Sequence, residues 1–341
     1  MKGRRGAVWV LGGPALLAVV ILFRRVRFDW ATFWQQLRYV SWIHVAAGMA
    51  LIYVTYWLRA MRWAEFCRAS KRVRAWDLLG PQFVGFTAVA LFGRLADLVR
   101  PYVVARRTGL TVSSQVAVYT VERMFDLGAA AVVFSSALAF SPAGLEHRDR
   151  YVRVGVGSLL ATLVIAICAA VARMRGDRMA VWIGERLQGV SAKLAASIEE
   201  KILGFREGLR AVSTTRQFGV ALGLSLTMWG MIGLAYVETV HTFAQTPELA
   251  RLNFSRTMLL MAVSMGGSLV QLPVLGWFTQ IAATAAAMHG FYGAPIEAAT
   301  ACGAMLLLVL TLSIVPTGLL FARVEGLSLK RVADESGVAT R

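Results

Sequence analysis

Charged residues are scarce in this chain, and long apolar runs take their place. Asp, Glu, Lys and Arg make up 16% of the 341 residues, whereas 57% of the residues are apolar. Soluble domains carry about 25% charged residues, so the scarcity excludes an ordinary soluble domain. The composition predicts an all-α polytopic membrane protein, in which a buried charge is costly and therefore informative.

Groups of metal ligands and nucleotide-binding motifs are also missing from the sequence. The cysteines and histidines are scattered, without the spacing that zinc, iron-sulfur or redox sites require. No Walker loop, complete GxGxxG or GxSxG occurs. We therefore expect no metal, no cofactor and no enzymatic catalysis. The residues concerned are Cys67, Cys168, Cys302, His44, His147, His241 and His289.

The net charge of +17 fits either a nucleic-acid surface or the cytoplasmic loops of a membrane protein. Its distribution decides between them, because the basic residues cluster between apolar runs. This pattern indicates cytoplasmic loops and excludes nucleic acid as a partner. One cluster comprises Arg59, Arg62, Arg68, Lys71, Arg72 and Arg74, and a second lies between Arg173 and Arg216.

A helical bundle of about six full spans is predicted, since a crossing needs about 20 apolar residues. The first run resembles a signal peptide, but no small-residue cleavage site follows, so we expect an uncleaved span. The N and C termini are then both cytoplasmic. The predicted spans are Gly6 to Phe23, Val40 to Leu58, a segment within Val116 to Phe140, Val154 to Val171, Val220 to Val240, and Ala298 to Phe321.

Two further stretches, Leu78 to Gly109 and Thr257 to Ile296, must each enter the membrane and return to the same side. An even number of crossings separates basic segments that are both cytoplasmic. The first stretch is therefore predicted to be an interrupted or re-entrant helical hairpin. The second enters from the opposite face, as a hairpin or as two full spans. Transporters commonly place their substrate site between such inverted elements.

The first hairpin carries charges at membrane depth. On a helix, Arg94, Asp97 and Arg100 lie at i, i+3 and i+6, so Asp97 could pair with both arginines. A planar guanidinium suits a phosphate because it can bind two oxygens at once. We expect Arg94 and Arg100 to bind a lipid phosphate. The alternative is a buried ion network that only holds the hairpin to the next span.

Glu122, Arg123 and Asp126 lie in a stretch that is otherwise uncharged from Thr108 to Leu145. Glu122 and Asp126 share a helix face at i and i+4. Counting the crossings places the trio in the first turns of a span that enters from the cytoplasm, where it would be partly wet. We expect these residues, with Asp97, to balance the charge of the arginines and to anchor the hairpin.

In the second stretch, Gln271 and Gln280 flank Pro273, and nearby glycines favour a broken helix. These residues are candidate contacts for the substrate, with interhelical hydrogen bonding as the alternative. Glu238 and His241 lie near the outer end of their span, where we expect an interfacial role.

Two amphipathic segments flank the spans of what we expect to be one integral membrane domain, residues 1–341. The segment FDWATFWQQLRYVSW places Phe28, Phe33 and Leu37 at helical spacing, which predicts an interfacial helix. Residues 174–216 have the same periodicity and predict a cytoplasmic amphipathic helical segment. Residues 323–341 are expected to form a cytoplasmic tail.

Four segments resemble a known family. GRLADLVRPYVVARRTGL, TVERMFDL, QLPVLGWFTQIAA and GAPIEAA are similar to the flippase-like membrane region of lysylphosphatidylglycerol synthases and their stand-alone relatives. The resemblance covers roughly Arg59 to Gly318. It implies a bundle with interrupted helices in the bacterial inner membrane. The chain departs from the family pattern at Ala96 and Asp97, where a Gly-Glu pair is common.

The resemblance implies translocation of a phospholipid or lipid-linked headgroup between leaflets. Membrane lipids with an anionic or phosphate-bearing headgroup would be the partners, and their acyl chains would stay in the bilayer. No aminoacyl-transferase domain follows Arg341, so we do not expect lipid aminoacylation. The alternatives are a membrane enzyme acting on a lipid-linked phosphate or sugar, with Glu122 or Asp126 as general base, and a non-transporting scaffold.

Overall fold

The computed structural model describes residues 28–68, 70–140, 148–150, 152–164, 214–267 and 275–326. Every regular element in these ranges is helical, as the composition predicts. The helices are α1 Trp30–Arg38, α2 Trp42–Cys67, α3 Ala75–Phe92, α4 Val99–Thr108, α5 Val112–Ala139, α6 152–164, α7 Thr215–His241, α8 Pro247–Ala250, α9 Phe254–Gly267, α10 Leu275–Tyr292, α11 Ile296–Leu307 and α12 Val315–Val324.

Four of the described helical segments are long and apolar enough to cross a membrane. They are α2, α3, α7 and the segment Ile296–Val324, in which a π turn at Leu308–Leu312 joins α11 to α12. Helix α5 has 28 residues and covers most of the range Val116 to Phe140, in which a span is predicted, but it is not one of these four segments. These helices support a multi-pass membrane protein, whereas the total of about six spans stays a prediction.

Helix α2 extends well past the predicted end of its span at Leu58 and finishes at Cys67. Buried apolar residues continue at helical spacing through this extension, at Ala60, Trp63 and Phe66. An apolar stripe of this kind holds a helix against its neighbours even when arginines interrupt the run of hydropathy. Arg59 and Arg62 lie inside this helix and are buried, so their assignment to a cytoplasmic loop was wrong.

Helices α2 and α7 form the centre of the bundle and run antiparallel. His44 near the start of α2 contacts Glu238 near the end of α7, at 2.6 Å between Nδ1 and Oε2. At the opposite end, Arg62 Nη1 donates to Ser225 Oγ at 2.6 Å. Side chains of both helices join a large apolar core with α9, α10 and α11. The arginines of α2 are therefore held on a firmly packed scaffold.

Helices α3 and α4, with the short 3₁₀ segment Gly93–Ala96 between them, form what we call the first helix pair. Gly93 ends α3 with φ of 70°, a conformation that side chains with a Cβ rarely adopt. Helix α4 then packs back on α3. The two outer ends meet where Lys71 Nζ donates to the carbonyl oxygen of Thr108 at 2.6 Å.

Helices α9 and α10 form the second helix pair. Tyr292 at the end of α10 donates through its hydroxyl to the carbonyl oxygen of Arg256 near the start of α9, at 2.8 Å. Farther along the pair, Gln280 Nε2 donates to Ser264 Oγ at 3.3 Å. This contact is the interhelical hydrogen bond that was the alternative to substrate binding for Gln280. The residues between the two helices, including Gln271 and Pro273, lie outside the described ranges.

The inner ends of the two helix pairs touch each other. Trp277, in the first turns of α10, donates from Nε1 to the carbonyl oxygen of Ala90 at 3.0 Å. Ala90 lies in the last turn of α3, where helical carbonyl groups lose their usual partners within the helix. The second helix pair therefore satisfies a backbone group that the break at Gly93 leaves open.

Helix α1 confirms the helical part of the prediction for the FDWATFWQQLRYVSW segment. Asp29 caps it by accepting from the backbone N–H of Ala31 at 2.8 Å. Phe33 and Leu37 pack on the apolar core, while Trp30 and Trp34 are exposed. Other predictions fall outside the described residues: the span Gly6 to Phe23, residues 174–213 of the cytoplasmic segment, and the tail beyond residue 326.

Candidate functional site

Six charged residues from three helices come together in what we call the arginine cluster. Helix α2 supplies two of them, α4 one and α5 three. Ion pairs of 4.0 Å or less connect all six. The members are Arg59, Arg62, Arg100, Glu122, Arg123 and Asp126.

Arg62 is the most tightly held member of the cluster. Its Nη2 lies 2.7 Å from Glu122 Oε1 and its Nη1 lies 2.7 Å from Asp126 Oδ1. The side chain is fully buried, and Nη1 also donates to Ser225 Oγ. One guanidinium thus bridges both carboxylates and connects α2, α5 and α7. Buried charges need this degree of pairing, because each loses its hydration.

Arg100 is enclosed as well, and its partner is Glu122 rather than Asp97. Its Nη2 lies 2.5 Å from Glu122 Oε2, and its Nη1 lies 3.2 Å from Oε1 and 3.1 Å from Gln82 Oε1. The guanidinium also stacks over three aromatic rings, at 4.6 to 5.2 Å from their centroids. These rings are Trp63, Phe86 and Tyr119.

The close approach of α3 and α4 positions Arg100. A Cβ atom at Gly85 would overlap the Cβ of Arg100 and would lie 2.9 Å from its Cα. Glycine is therefore needed at this crossing, since no side chain fits between the two backbones. The contact places Arg100 beside Gln82, one turn before Gly85 on the same helix.

Arg59 and Arg123 are held more loosely than the other two arginines. Arg59 Nη1 lies 3.5 Å from Asp126 Oδ2 and 4.0 Å from Glu122 Oε1. Arg123 Nη2 lies 2.9 Å from the same Asp126 oxygen and 3.7 Å from Glu122 Oε2. Arg123 also has the most exposed side chain of the cluster, at 38%. These two guanidiniums have the most capacity for a further anionic partner.

The predicted trio on α5 lies deeper than its predicted position. Helix α5 begins at Val112, so Glu122 and Asp126 fall near the middle of the helix rather than in its first turns. Both carboxylates are buried. The expectation of a partly wet position was therefore wrong for these two residues, because the count of crossings fixed the side of entry but not the start of the helix.

Arg94 and Asp97 do not share one helix with Arg100. The backbone of Arg94 belongs to the 3₁₀ segment, Asp97 lies in the turn that follows, and α4 begins at Val99. The helical spacing that suggested one Asp97 between two arginines is therefore wrong. The side chain of Arg94 lies outside the described part of the chain, and its predicted contact with a lipid phosphate stays a prediction.

Three buried donors in or beside the cluster face no hydrogen-bond acceptor among the described residues: Arg62 Nε, Arg123 Nε and Nε2 of the neighbouring Gln82. A fourth buried donor, Arg123 Nη2, makes no well-directed hydrogen bond but lies 2.9 Å from Asp126 Oδ2. Two carboxylate oxygens, Glu122 Oε2 and Asp126 Oδ1, lack well-directed hydrogen bonds but lie 2.5 and 2.7 Å from guanidinium nitrogens. The oxygens are therefore electrostatically satisfied, whereas the unpaired donors need an acceptor.

Residues at the far end of α2 and α7 form a separate polar contact. The rings of His44 and His241 lie edge to face at 6.5 Å, beside the hydrogen bond between His44 and Glu238. His241 Nε2 lies 3.0 Å from the carbonyl oxygen of Leu252. In the described ranges, His, Cys, Asp and Glu side chains nowhere group as three potential ligands of one metal ion.

Sequence reasoning found four of the six cluster members and missed Arg59 and Arg62. The missed signal is the helical spacing of Tyr56, Trp63 and Phe66 around them, which places both arginines next to buried positions. A basic residue at the end of an apolar run was interpreted as the start of a loop. Helical periodicity across the run would have kept both arginines inside the span.

Comparisons with known proteins find a family whose sequence pattern matches this chain. A sequence model of the family described as "Lysylphosphatidylglycerol synthase TM region" matches residues 10–319. A protein of Haloferax volcanii named "Glycosyltransferase AglD" is 32% identical over 217 residues, which cover 54% of this chain and 34% of the relative. The chain thus matches about a third of that relative's length. No solved structure matches the chain.

Proposed function

Because this chain belongs to the family of lysylphosphatidylglycerol synthase transmembrane regions, we propose that it translocates a phospholipid or lipid-linked headgroup between leaflets. The arginine cluster holds the phosphate of this lipid. The acyl chains stay in the bilayer while the headgroup passes the two helix pairs.

The excess of positive charge in the cluster carries the proposal. Four arginines against two carboxylates leave a surplus of two positive charges. Half-buried Asp97, which acts electrostatically on Arg123, reduces this surplus by at most one. A buried net charge without a partner is strongly unfavourable, so the cluster is suited to an anion.

The unpaired donors match the chemistry of a phosphate. Arg62 Nε, Arg123 Nε and Gln82 Nε2 are buried and have no acceptor among the described residues. Phosphate oxygens accept several hydrogen bonds at once, and guanidinium groups bind them in pairs. We assign direct contact to Arg59 and Arg123, whose existing pairs are the longest or the most exposed. Arg62 and Arg100 then hold the carboxylates in place.

The two helix pairs are the moving framework of the proposed transporter, beside about six full spans. The first pair has its outer end at Lys71 and Thr108, and the second at Arg256 and Tyr292. Helix α4 has ten residues and is about 15 Å long, too short to cross a hydrocarbon core of about 30 Å. This length supports a re-entrant first hairpin. The positions of the two outer ends and the contact of Trp277 with Ala90 support two hairpins that enter from opposite faces and meet at their inner ends.

Charge asymmetry gives the proposed orientation in a bacterial inner membrane. Exposed basic residues surround the outer end of the first helix pair, whereas the three described histidines lie at the far end of the bundle. Cytoplasmic surfaces carry such an excess of Lys and Arg, so we assign the basic end to the cytoplasm. The exposed basic residues at this end are Arg68, Lys71, Arg72, Arg74, Arg106, Arg107, Arg216 and Arg323. Five further arginines are exposed toward the other end, so among the described residues the excess is eight to five: Arg38, Arg148, Arg150, Arg153 and Arg251.

A labelled-lipid exchange assay tests this function. Purified protein is reconstituted into vesicles whose lipids carry a fluorophore that an impermeant reagent can bleach only in the outer leaflet. We expect bleaching beyond the outer-leaflet fraction for lipids with a phosphate headgroup, and none beyond it in protein-free vesicles. If the same fraction of fluorophore were bleached in vesicles with and without the protein, the proposal would be overturned.

A second candidate function is an enzyme that acts on a lipid-linked phosphate or sugar. The similarity to a protein named as a glycosyltransferase favours it. The geometry does not, because both carboxylates of the cluster are engaged with arginines and a general base needs a free one. Incubation with activated sugar donors and lipid acceptors decides between them: transferred product supports the enzyme, and exchange without product supports the transporter.

A further inference from the structure

We infer that the phosphate of a membrane lipid enters the arginine cluster sideways, from the bilayer, past Arg123 on the outer face of α5. The inference rests on the proposed translocation function and adds the route and the first contact of the substrate. The ligand is a lipid phosphate whose acyl chains lie along the apolar surface of α5.

Arg123 is the only wide opening of the cluster among the described residues. Its side chain is 38% exposed, whereas those of Arg59 and Arg62 are 10% and 1% exposed. Arg100 is enclosed by three aromatic rings and by Glu122. A ligand from outside therefore meets Arg123 before any other cation of the cluster.

The opening lies near the middle of α5, away from both ends of the helix. Arg123 is about 17 Å from the start of α5, close to the middle of this 28-residue helix. Thr120 and Leu127, at three and four residues from it, are exposed on the same side, and Leu127 is 72% exposed. An arginine beside such an apolar surface needs anionic partners, and the cluster holds fewer carboxylates than guanidiniums.

The guanidinium of Arg123 is oriented for such a partner. Arg123 Nη2 lies 2.9 Å from Asp126 Oδ2, and Arg123 Cζ lies 5.2 Å from the centroid of the Tyr119 ring. The Nε atom is buried and has no acceptor among the described residues. The guanidinium is thus held by Asp126 on one side, and its unpaired donor faces the interior of the cluster, behind the exposed part of the side chain. A phosphate oxygen that passes the exposed part of Arg123 finds this donor and brings the charge that the cluster lacks.

A shared carboxylate oxygen connects this first contact to the interior. Asp126 Oδ2 lies 2.9 Å from Arg123 Nη2 and 3.5 Å from Arg59 Nη1. A phosphate that displaces this oxygen from Arg123 therefore stands next to Arg59. The route leads from the lipid-facing surface at Arg123 to the loosely held guanidinium on α2.

Site-specific photo-crosslinking tests the lateral route. A photoreactive amino acid replaces Leu127 in the full chain. The protein is then reconstituted either with phosphatidylglycerol or with diacylglycerol, a lipid that has no phosphate. A matched probe replaces Leu234, which is exposed on α7. We expect crosslinking at position 127 to favour the phosphate lipid, and crosslinking at position 234 to be indifferent to the headgroup. Soluble glycerophosphate should not compete, because the entrance faces lipid rather than water.

Variants of Arg123 identify its role. In the Leu127 probe background, Arg123→Gln should weaken the preference for the phosphate lipid by about tenfold, because a hydrogen bond to a charged group is lost. Arg123→Lys keeps the positive charge and should keep part of the preference. Arg68→Gln, which changes an exposed arginine at the end of α2, should leave it unchanged. Thermal unfolding of each variant excludes a general loss of structure.

Two results would overturn the lateral route, and they are distinguishable from failure of the proposed function. One is a full headgroup preference in Arg123→Gln together with its loss in Arg59→Gln. The other is competition by soluble glycerophosphate, which would place the entrance at an aqueous surface. In both cases lipid exchange by the wild type would leave translocation standing. Absence of lipid exchange and of headgroup preference in the wild type would overturn both proposals.

Discussion

Arg62 Nη1 lies 2.7 Å from Asp126 Oδ1 in the centre of the bundle. The pair connects α2 with α5 across a long separation in sequence, and the same guanidinium holds Glu122 at 2.7 Å. Its burial makes it a structural support of the cluster, on which the looser contacts of Arg59 and Arg123 depend.

Arg62→Met tests this supporting role. Removing one partner of a buried ion pair leaves the carboxylates without their main counter-charge, which costs about 3 to 5 kcal/mol. We expect a correspondingly large loss of unfolding free energy, measured by denaturation of the purified protein in mixed micelles. Arg68→Met is the control, since its pair with Glu65 is exposed and worth about 0 to 1 kcal/mol. Equal losses in the two variants would contradict a supporting role for Arg62.

Gly85→Ala tests the close crossing of α3 and α4. The added Cβ would overlap Arg100, and crowding of this kind costs about 1 to 3 kcal/mol. We expect a lower melting temperature and displacement of Arg100 from Glu122. Gly230→Ala on α7 is the matched control, because a Cβ there meets no atom within 4 Å. Alanine should stabilise that helix by up to about 1 kcal/mol. An unchanged melting temperature in Gly85→Ala would show that the crossing is not tight.

The helical class, the presence of the site and most of its residues could be predicted from the sequence. The low fraction of charged residues predicts a membrane protein. Charged residues that remain within an apolar stretch, such as Glu122 and Asp126, then indicate a functional site. The depth of α5 and the partners of Arg100 could not be predicted. Both depend on where helices begin and on contacts between distant segments, such as Arg62 with Asp126, which local periodicity does not contain.

Trp277→Phe tests the contact between the two helix pairs. Phenylalanine keeps the apolar ring but removes the N–H that donates to Ala90, a loss of about 0.6 to 1.7 kcal/mol for a hydrogen bond inside a membrane bundle. We expect faster hydrogen exchange at the start of α10 and a lower melting temperature. Trp229→Phe is the control, because its buried N–H has no acceptor among the described residues. Unchanged hydrogen exchange at the start of α10 in Trp277→Phe would exclude the proposed contact.

Glu325, just beyond the end of α12, predicts a pH dependence of stability. Burial raises the pKa of its carboxyl group, while Arg107 and Arg106 act in the opposite direction. A raised pKa means that the folded state binds the proton more tightly than the unfolded chain. This contribution therefore favours folding at low pH and is lost as the pH rises through the folded pKa.

Glu325→Gln removes this titration. The melting temperature of the variant relative to that of the wild type should therefore increase as the pH rises above about 4.3, the ordinary pKa of glutamate. The measurement is thermal unfolding of both proteins in detergent across this range. If the melting temperature of the variant relative to the wild type increased toward acid pH instead, the pKa of Glu325 would be lowered rather than raised. This result would contradict the burial of Glu325.

Lipid exchange by Arg59→Gln tests the central claim most directly, since Arg59 carries surplus charge without supporting the cluster as Arg62 does. Equal amounts of wild type, Arg59→Gln and Arg68→Gln are reconstituted, and the exchange rate of a labelled phosphate lipid is measured for each. The account predicts a rate at least about tenfold lower for Arg59→Gln, with unchanged folding, and an unaltered rate for Arg68→Gln. Wild-type exchange by a folded Arg59→Gln variant would contradict the assignment of the arginine cluster as the lipid phosphate site.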